Sequence, residues 1–241
     1  MHNQRVTSSP ACYHIQFGDK SATAFLIDYG DRQYFVTARH VMESAGKKET
    51  VELIGPGSTG PKKYEVAVLK GKNKCVDVAV LVPSDKQITK ADPIPYPYNF
   101  ALGQEAYFLG FPYGLYTSFG GQGLGAALIK HAYVSARVSC AAMYPDGDKD
   151  EFFLLLDGLN NVGFSGGPIV APDMFSPSTN VRTQKLIGVI SGYRPEMVPL
   201  TVKGKTDPNS STATNTGIIV ATPFESVVDL IKSYVVKQKK P

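Results

Sequence analysis

Apolar residues fall along this chain in short clusters of roughly five to nine positions, rich in β-branched and aromatic side chains and separated by glycine, proline, aspartate and asparagine. ATAFLIDYG, RQYFVTA, YEVAVLK, DVAVLV, EAYFLGF, KLIGVISG and GIIVAT each have the length and composition of a strand. Helical segments do not alternate with them, so the pattern predicts an all-β chain and disfavours a doubly wound α/β sheet. Within it, LIDYGDRQYFVTA reads as a hairpin that turns at Tyr29, Gly30 and Asp31.

One segment changes period. Thr222, Pro223 and Glu225 supply a helix cap, a proline at the first helical position and a capping-box carboxylate. Phe224, Val227, Val228, Ile231 and Val235 then recur at helical spacing, which predicts a C-terminal helix with one face on the body of the protein. The proline-rich stretch 88–103 reads as a linker between two groups of strands, and two small barrels joined there fit the pattern. Residues 111–125 read as a loop rich in glycine and aromatics. Their glycines lack the strand-to-helix setting and the Lys-Ser/Thr pair of a phosphate loop. The polar segment 201–216 reads as a mobile loop.

Composition narrows the function classes. The 241 residues are 43% hydrophobic and 19% charged, which suits a globular chain. The net charge of +4 gathers partly in the C-terminal KQKK, a solvated tail, so no nucleic-acid partner is expected. No apolar run reaches the ~18 residues of a membrane span, and no secretory signal is visible at the N-terminus. Cys12, Cys75 and Cys140 are far apart and form no CxxC pair, which argues against a zinc site. Free buried thiols in a cytoplasmic protein are the expectation; a secreted domain lacking its signal is the alternative.

The chemistry centres on VGFSGGP, residues 162–168. Its G-x-S-x-G matches the nucleophile elbow of α/β-hydrolases, but that order needs a histidine after the serine. All four histidines, His2, His14, His40 and His131, precede Ser165. Two glycines after the serine are also a poor start for the elbow's helix. The order His, Asp, Ser remains available: His40 ends a strand in FVTARHVM, and Asp77 leads an apolar strand in KCVDVAVLV. His131 has no partner motif and reads as structural.

With these residues in view, the chain resembles the trypsin-like (chymotrypsin-fold) serine proteases, and the bacterial HtrA-type domains more than the secreted digestive enzymes. TARHV, VDVAVL and GFSGGP are similar to the family's T-A-x-H, D-[ILV]-A-[VL]-L and G-x-S-G-G-P motifs. ALGQEAYFLGFPYG resembles the HtrA segment that opens the second barrel, and LIGVISG and GIIVATPFESVVDLI resemble the strands and helix that follow the nucleophile. The resemblance runs from about residue 22 to 236.

The resemblance implies an all-β fold of two six-stranded antiparallel β-barrels (chymotrypsin-like) with a C-terminal α-helix. A single peptidase domain over 1–241 would hold an N-terminal barrel at about 12–92, a C-terminal barrel at about 102–222 and the helix at 223–237. It implies Ser165 as nucleophile, His40 as general base and Asp77 as the group that orients the imidazole. The backbone N–H groups of Gly163 and Ser165 would form the oxyanion hole. The substrate would be a protein or peptide, with no cofactor, no metal and no membrane partner. A protease-like binding protein without activity, and an esterase on the same fold, stand as alternatives.

Two departures from the secreted relatives matter. Phe164 stands where those enzymes carry an aspartate before the serine, so their amine-triggered activation switch cannot operate. Their flanking cysteines are absent as well. The resemblance puts the floor of the pocket for the cleaved residue near Leu159, with walls from Ser191, Gly192, Tyr193 and Gly217, which would take an apolar side chain. A slip of two residues would put Asp157 on the floor and select arginine or lysine.

Overall fold

The computed structural model describes residues 11–89, 100–115, 126–172, 184–202 and 205–238, the side chains of 202–209 excepted. Its first six strands are β1 (Cys12–Phe17), β2 (Lys20–Tyr29), β3 (Arg32–Thr37), β4 (Lys48–Ile54), β5 (Lys62–Lys70) and β6 (Ala79–Pro83). They close in the order β1-β2-β3-β6-β5-β4. The expected hairpin is β2–β3, with Tyr29 opposite Arg32 across Gly30 and Asp31. The alternation in β1 to β5 sends Ile15, Ala24, Phe35, Val51 and Leu53 into the barrel, where they are buried together.

The second sheet comprises β7 (Glu105–Gly110), β8 (Leu128–Ser139), β9 (Phe152–Asp157), β10 (Pro168–Pro172), β11 (Gln184–Val202) and β12 (Lys205–Pro223). Neighbours pair in the order β10-β11-β12-β9-β8-β7, and β7 pairs back with β10, so this ring closes too. Its interior is filled by Phe108, Leu154, Leu156, Ile169 and Ile219, with Phe164 among them. The helix α2 (Phe224–Gln238) buries Phe224, Val227, Val228 and Ile231. Those residues share one apolar cluster with Val36, Val78 and Val80 of the first half and Leu109, Val170 and Val189 of the second. Burial between the two halves therefore fixes their relative placement.

Three sequence expectations change here. Thr222 and Pro223 pair with Val189 and Gly188 as the end of β12, so the helix begins at Phe224. The Thr222 hydroxyl shares a hydrogen bond with Ser191 Oγ at 3.1 Å. The described residues of 201–216 are not a loop: β11 and β12 run on as a ribbon, with Glu196 opposite Thr214 and Val202 opposite Lys205. Its threonines favour extended backbone, and residues 211–214, all exposed, show no apolar alternation to announce a strand.

The cysteines are the third correction. Cys75 and Cys140 form a disulfide across 65 residues with a Cα–Cα distance of 5.7 Å, and only Cys12, the buried first residue of β1, is free. Cys75 lies in the β5–β6 connection and Cys140 opens the short helix α1 (Cys140–Met143), so the bond joins the two halves. Sequence spacing gives no sign of it, because the two segments meet only once both barrels are formed. Of the other sequence segments, 90–99 in the linker and 116–125 in the glycine-rich loop lie outside the described residues, as does His2. No helix among the described residues is long and apolar enough to cross a membrane.

Candidate active site

The residues singled out in the sequence meet at the junction of the two halves. His40 follows β3 in a tight turn held by Val41 N–H to Ala38 O and Met42 N–H to Arg39 O. Asp77 lies two residues before the start of β6, whose residues are all buried. The Asp77 carboxylate takes the His40 backbone N–H at 2.9 Å and approaches His40 Nδ1 at 2.8 Å. An ionised carboxylate only accepts, so this contact places the ring proton on Nδ1 and leaves Nε2 as an acceptor. Asp77 is 13% exposed and His40 45% exposed, so the carboxylate is sheltered and the imidazole is open to a ligand.

Ser165 sits in the turn between β9 and β10, and backbone geometry dictates the glycines around it. Gly163 has φ +102°, and a Cβ there would lie 2.3 Å from the Phe111 carbonyl oxygen. Gly166 has φ +82°, and a Cβ there would lie 2.2 Å from the Thr23 oxygen. Neither position admits another residue without moving the loop. Tyr113 N–H donates to Val162 O at 2.9 Å. In a trans peptide the C=O and the following N–H point oppositely, so this bond turns the Gly163 N–H away from Tyr113. Among the described residues, no protein acceptor takes the N–H of Gly163 or of Ser165. Two free donors thus flank one hydroxyl. That hydroxyl has a long hydrogen bond to Ser191 O, 3.4 Å, and makes none to His40.

Phe164 explains how the turn is held without a buried ion pair. Its ring is fully buried edge-on to Phe108, with centroids 4.9 Å apart. The side chain before the serine is therefore an apolar anchor in the second barrel. Lys130 of β8 braces the outer part of the loop by donating to Leu159 O and, at 3.0 Å, to Asn161 Oδ1.

Of the pocket residues expected from the sequence, Ser191, Gly192 and Tyr193 line a cavity beside His40 and Asp77. Beyond Ile190, whose N–H and O still bond Gly167 O and Gly166 N–H, the backbone of β11 is paired only with β12. Gly217 accepts from Gly158 N–H at 2.8 Å, which places it beside the β9 exit. Leu159 is 53% exposed and Asp157 is exposed at the end of β9, so neither is a buried floor. The buried residue of that stretch is Asn160, whose backbone oxygen accepts from Asn215 Nδ2. His131 pairs with Glu105 at 2.8 Å between the rings of Tyr107 and Tyr133, away from these groups.

Sequence reasoning missed several contributors. Thr23 links the halves through its hydroxyl, and Lys74, Tyr144, Phe153 and Val220 line the cavity of about 270 Å³ beside His40. No local pattern marks them, since each is defined by a partner from a distant segment.

Residues 22–174 match the family model of the trypsin-like peptidase domain. No curated protein sequence matches the chain. Solved structures with the same fold include an inactive form of Rv3671c from M. tuberculosis H37Rv, a serine-to-alanine mutant. It is 18% identical with a TM-score of 0.57, covering 96% of this chain and 89% of that one. Another inactive form of the Rv3671c protease is 18% identical with a TM-score of 0.55, covering 93% and 88%. The serine endoprotease from Yersinia pestis is 18% identical with a TM-score of 0.57, and the match covers 94% of this chain and 63% of that one.

Proposed function

The chain belongs to the trypsin-like peptidase family, and from that premise we propose that it is a serine endopeptidase acting through an acyl-enzyme on Ser165. The observation that carries this reading is the pair of hydrogen bonds that the His40 backbone N–H and Nδ1 donate to the Asp77 carboxylate, which orients the imidazole, together with a Ser165 hydroxyl flanked by two unpaired N–H groups.

Ser165 Oγ attacks the scissile carbonyl carbon while His40 Nε2 accepts its proton, and Asp77 stabilises the imidazolium without itself being protonated. The carbonyl oxygen becomes an oxyanion held by the Gly163 and Ser165 N–H groups, each such donor contributing about 3–4 kcal/mol in related sites. Collapse breaks the C–N bond, and His40 returns the proton to the departing amine. Water, deprotonated by His40, then releases the acid and regenerates Ser165. In the resting site Ser165 Oγ bonds Ser191 O, and it must turn from that carbonyl to give its proton to His40; such bonds form on substrate binding. The open side of β11 at Ser191–Tyr193 would pair with the extended substrate as an added strand.

The same orientation of Ser165 favours a second reading, a peptide-binding protein without turnover. A fluorophosphonate probe separates the two. Labelling of the native chain that disappears in Ser165→Ala is the expected result, and no labelling of the folded native chain overturns the enzymatic reading. An esterase on this fold would label equally but leave a diverse peptide library uncut.

A further inference from the structure

β8 turns Lys130, Ala132 and Val134 to the interior of the second barrel and Ile129, His131 and Tyr133 to its outside. Lys130 is the charged member of that inward row, between Leu128 and Ala132, which both pack on the barrel core. Its register partner on β7 is Phe108, buried in the same core. A lysine in such a row carries a desolvation cost that leucine or methionine would not. Burial accordingly lowers its pKa below the ordinary 10.5. The position costs the fold, and its ammonium serves one segment.

That segment is 159–161, which follows β9 and leads to Ser165. Lys130 Nζ donates to Leu159 O and, at 3.0 Å, to Asn161 Oδ1, and it lies 5.9 Å from the centre of the Phe164 ring. None of these partners is charged, and no carboxylate pairs with Lys130 among the described residues. The Glu105–His131 pair lies on the outward face of the sheet, and Asp157 is exposed at the end of β9. Around the lysine, Asn160 O accepts from Asn215 Nδ2, and Asn161 Nδ2 donates to the Tyr113 hydroxyl at 3.4 Å. Lys130 is the cation of this set and the contact shared by both ends of the segment.

The loop thus has two supports of different kinds. Thr23 holds the carbonyl oxygens of Gly163 and Ser165, at the reacting end. Lys130 holds 159–161, beside Gly217, where the side chain of the cleaved residue enters on the peptidase reading. We propose that Lys130 is a positioning residue: its charge keeps 159–161 in the shape that binds substrate, so it governs KM and leaves kcat to the groups that Thr23 holds. The inference rests on the peptidase reading for the link to KM; the anchoring of the segment does not require turnover.

The test compares the native chain with Lys130→Met, which suits the inward row, and Lys130→Arg, which keeps a cationic donor. Hydrogen exchange read by mass spectrometry needs no turnover. Amides of 159–166 should exchange about tenfold or more faster in Lys130→Met, as loss of charge-assisted bonds predicts, and at close to the native rate in Lys130→Arg. The urea midpoint of Lys130→Met should not fall, because an apolar side chain replaces a desolvated charge. With a peptide that the native chain cleaves, Lys130→Met should raise KM about tenfold or more at a kcat within about twofold of native, and Lys130→Arg should restore KM. Native KM should also rise at alkaline pH as Lys130 loses its proton. In Lys130→Arg, whose guanidinium stays charged and whose Tyr113 is unchanged, KM should stay level. Native exchange at 159–166 in Lys130→Met, a loss confined to kcat, or an Arg variant no better than the Met variant would overturn the proposal. So would faster exchange spread through the second barrel with a lowered urea midpoint, the mark of a purely structural role. If the exchange pattern holds in a chain that no fluorophosphonate labels, the anchoring stands and the peptidase reading falls.

Discussion

The hydroxyl of Thr23 donates to the carbonyl oxygen of Gly163 at 2.7 Å, across 140 residues of sequence. The Thr23 hydroxyl oxygen itself accepts the Phe111 N–H at 3.1 Å, and the Thr23 N–H donates to Ser165 O at 2.9 Å. Thr37 closes the set by donating to Thr23 O at 2.7 Å. One buried threonine of β2 thus orients the Gly163–Phe164 and Ser165–Gly166 peptides. The first barrel supplies His40 and Asp77 and also sets the loop that carries Ser165.

Thr23→Val keeps the shape and removes the hydroxyl, leaving the Gly163 oxygen and the Phe111 N–H without that partner. Each unsatisfied buried group costs about 1–3 kcal/mol, so the urea unfolding free energy should fall by about 2 kcal/mol or more. Fluorophosphonate labelling should slow about tenfold or more, since small displacements of reacting groups cost heavily. Thr23→Ser should recover most of both. Native labelling kinetics in Thr23→Val would refute the coupling.

Asp77→Asn replaces an acceptor with an amide whose NH₂ can face His40 Nδ1. The imidazole would then carry its proton on Nε2, the nitrogen that must accept from Ser165. Peptide kcat should drop by about 10⁴-fold in a protein of unchanged circular dichroism, as for loss of the orienting acid in other such sites. A loss below tenfold would remove Asp77 from the mechanism.

The parts legible in sequence are those written in consecutive residues. The β2–β3 hairpin follows from its alternation and its Gly30 turn, and α2 from the spacing of Phe224, Val227, Val228 and Ile231. His40, Asp77 and Ser165 stand out because each sits in a short motif dictated by its own backbone, above all the two glycines with positive φ around the serine. What stayed hidden depends on pairs of distant segments. Thr23 looks like any strand threonine until Gly163 lies above it. Tyr144 and Lys74 become a cavity wall only when α1 meets the β5–β6 connection. The 201–216 ribbon was obscured for another reason: its composition is that of a loop, and its order comes from backbone pairing.

His14 carries a pH prediction. It is 5% exposed, bonded through Nε2 to Ser21 Oγ at 2.7 Å and edge-on to Phe111, and burial lowers its pKa below the ordinary 6.5. The unfolded chain therefore binds a proton at pH values where the folded chain does not, so stability rises with pH through this window. It is lost progressively as pH falls below about 6.5 and towards the folded value. Urea midpoints measured downward from neutral pH should decline more steeply in the native chain than in His14→Gln. The lowered carboxylates Asp31, Asp146 and Asp148 start from 3.8 and act in a more acidic window, which keeps the two effects apart. Parallel profiles for the two proteins would show that His14 does not titrate on unfolding.

Cys75–Cys140 is the strongest constraint between the halves that is not hydrophobic. It closes a loop of 65 residues, and the chain-entropy estimate for a loop of that length is about 4 kcal/mol. Ion pairs from Lys72 to Asp148 and Glu151, at 3.1 and 2.7 Å, flank it but are exposed, and exposed pairs are worth about 0–1 kcal/mol each. Reductant should therefore lower the urea midpoint of the native chain. A Cys75→Ala/Cys140→Ala double variant should start from the lowered value and ignore reductant. Because Cys75 is two residues from Asp77, the reduced protein should also label more slowly with fluorophosphonate. Cys12 supplies the internal control: burial pushes its thiol pKa far above the ordinary range, so it should resist alkylation until the chain unfolds. Mass spectrometry of the unreduced, unfolded protein after alkylation should then find one modified cysteine. Three modified cysteines would show that the bond does not form.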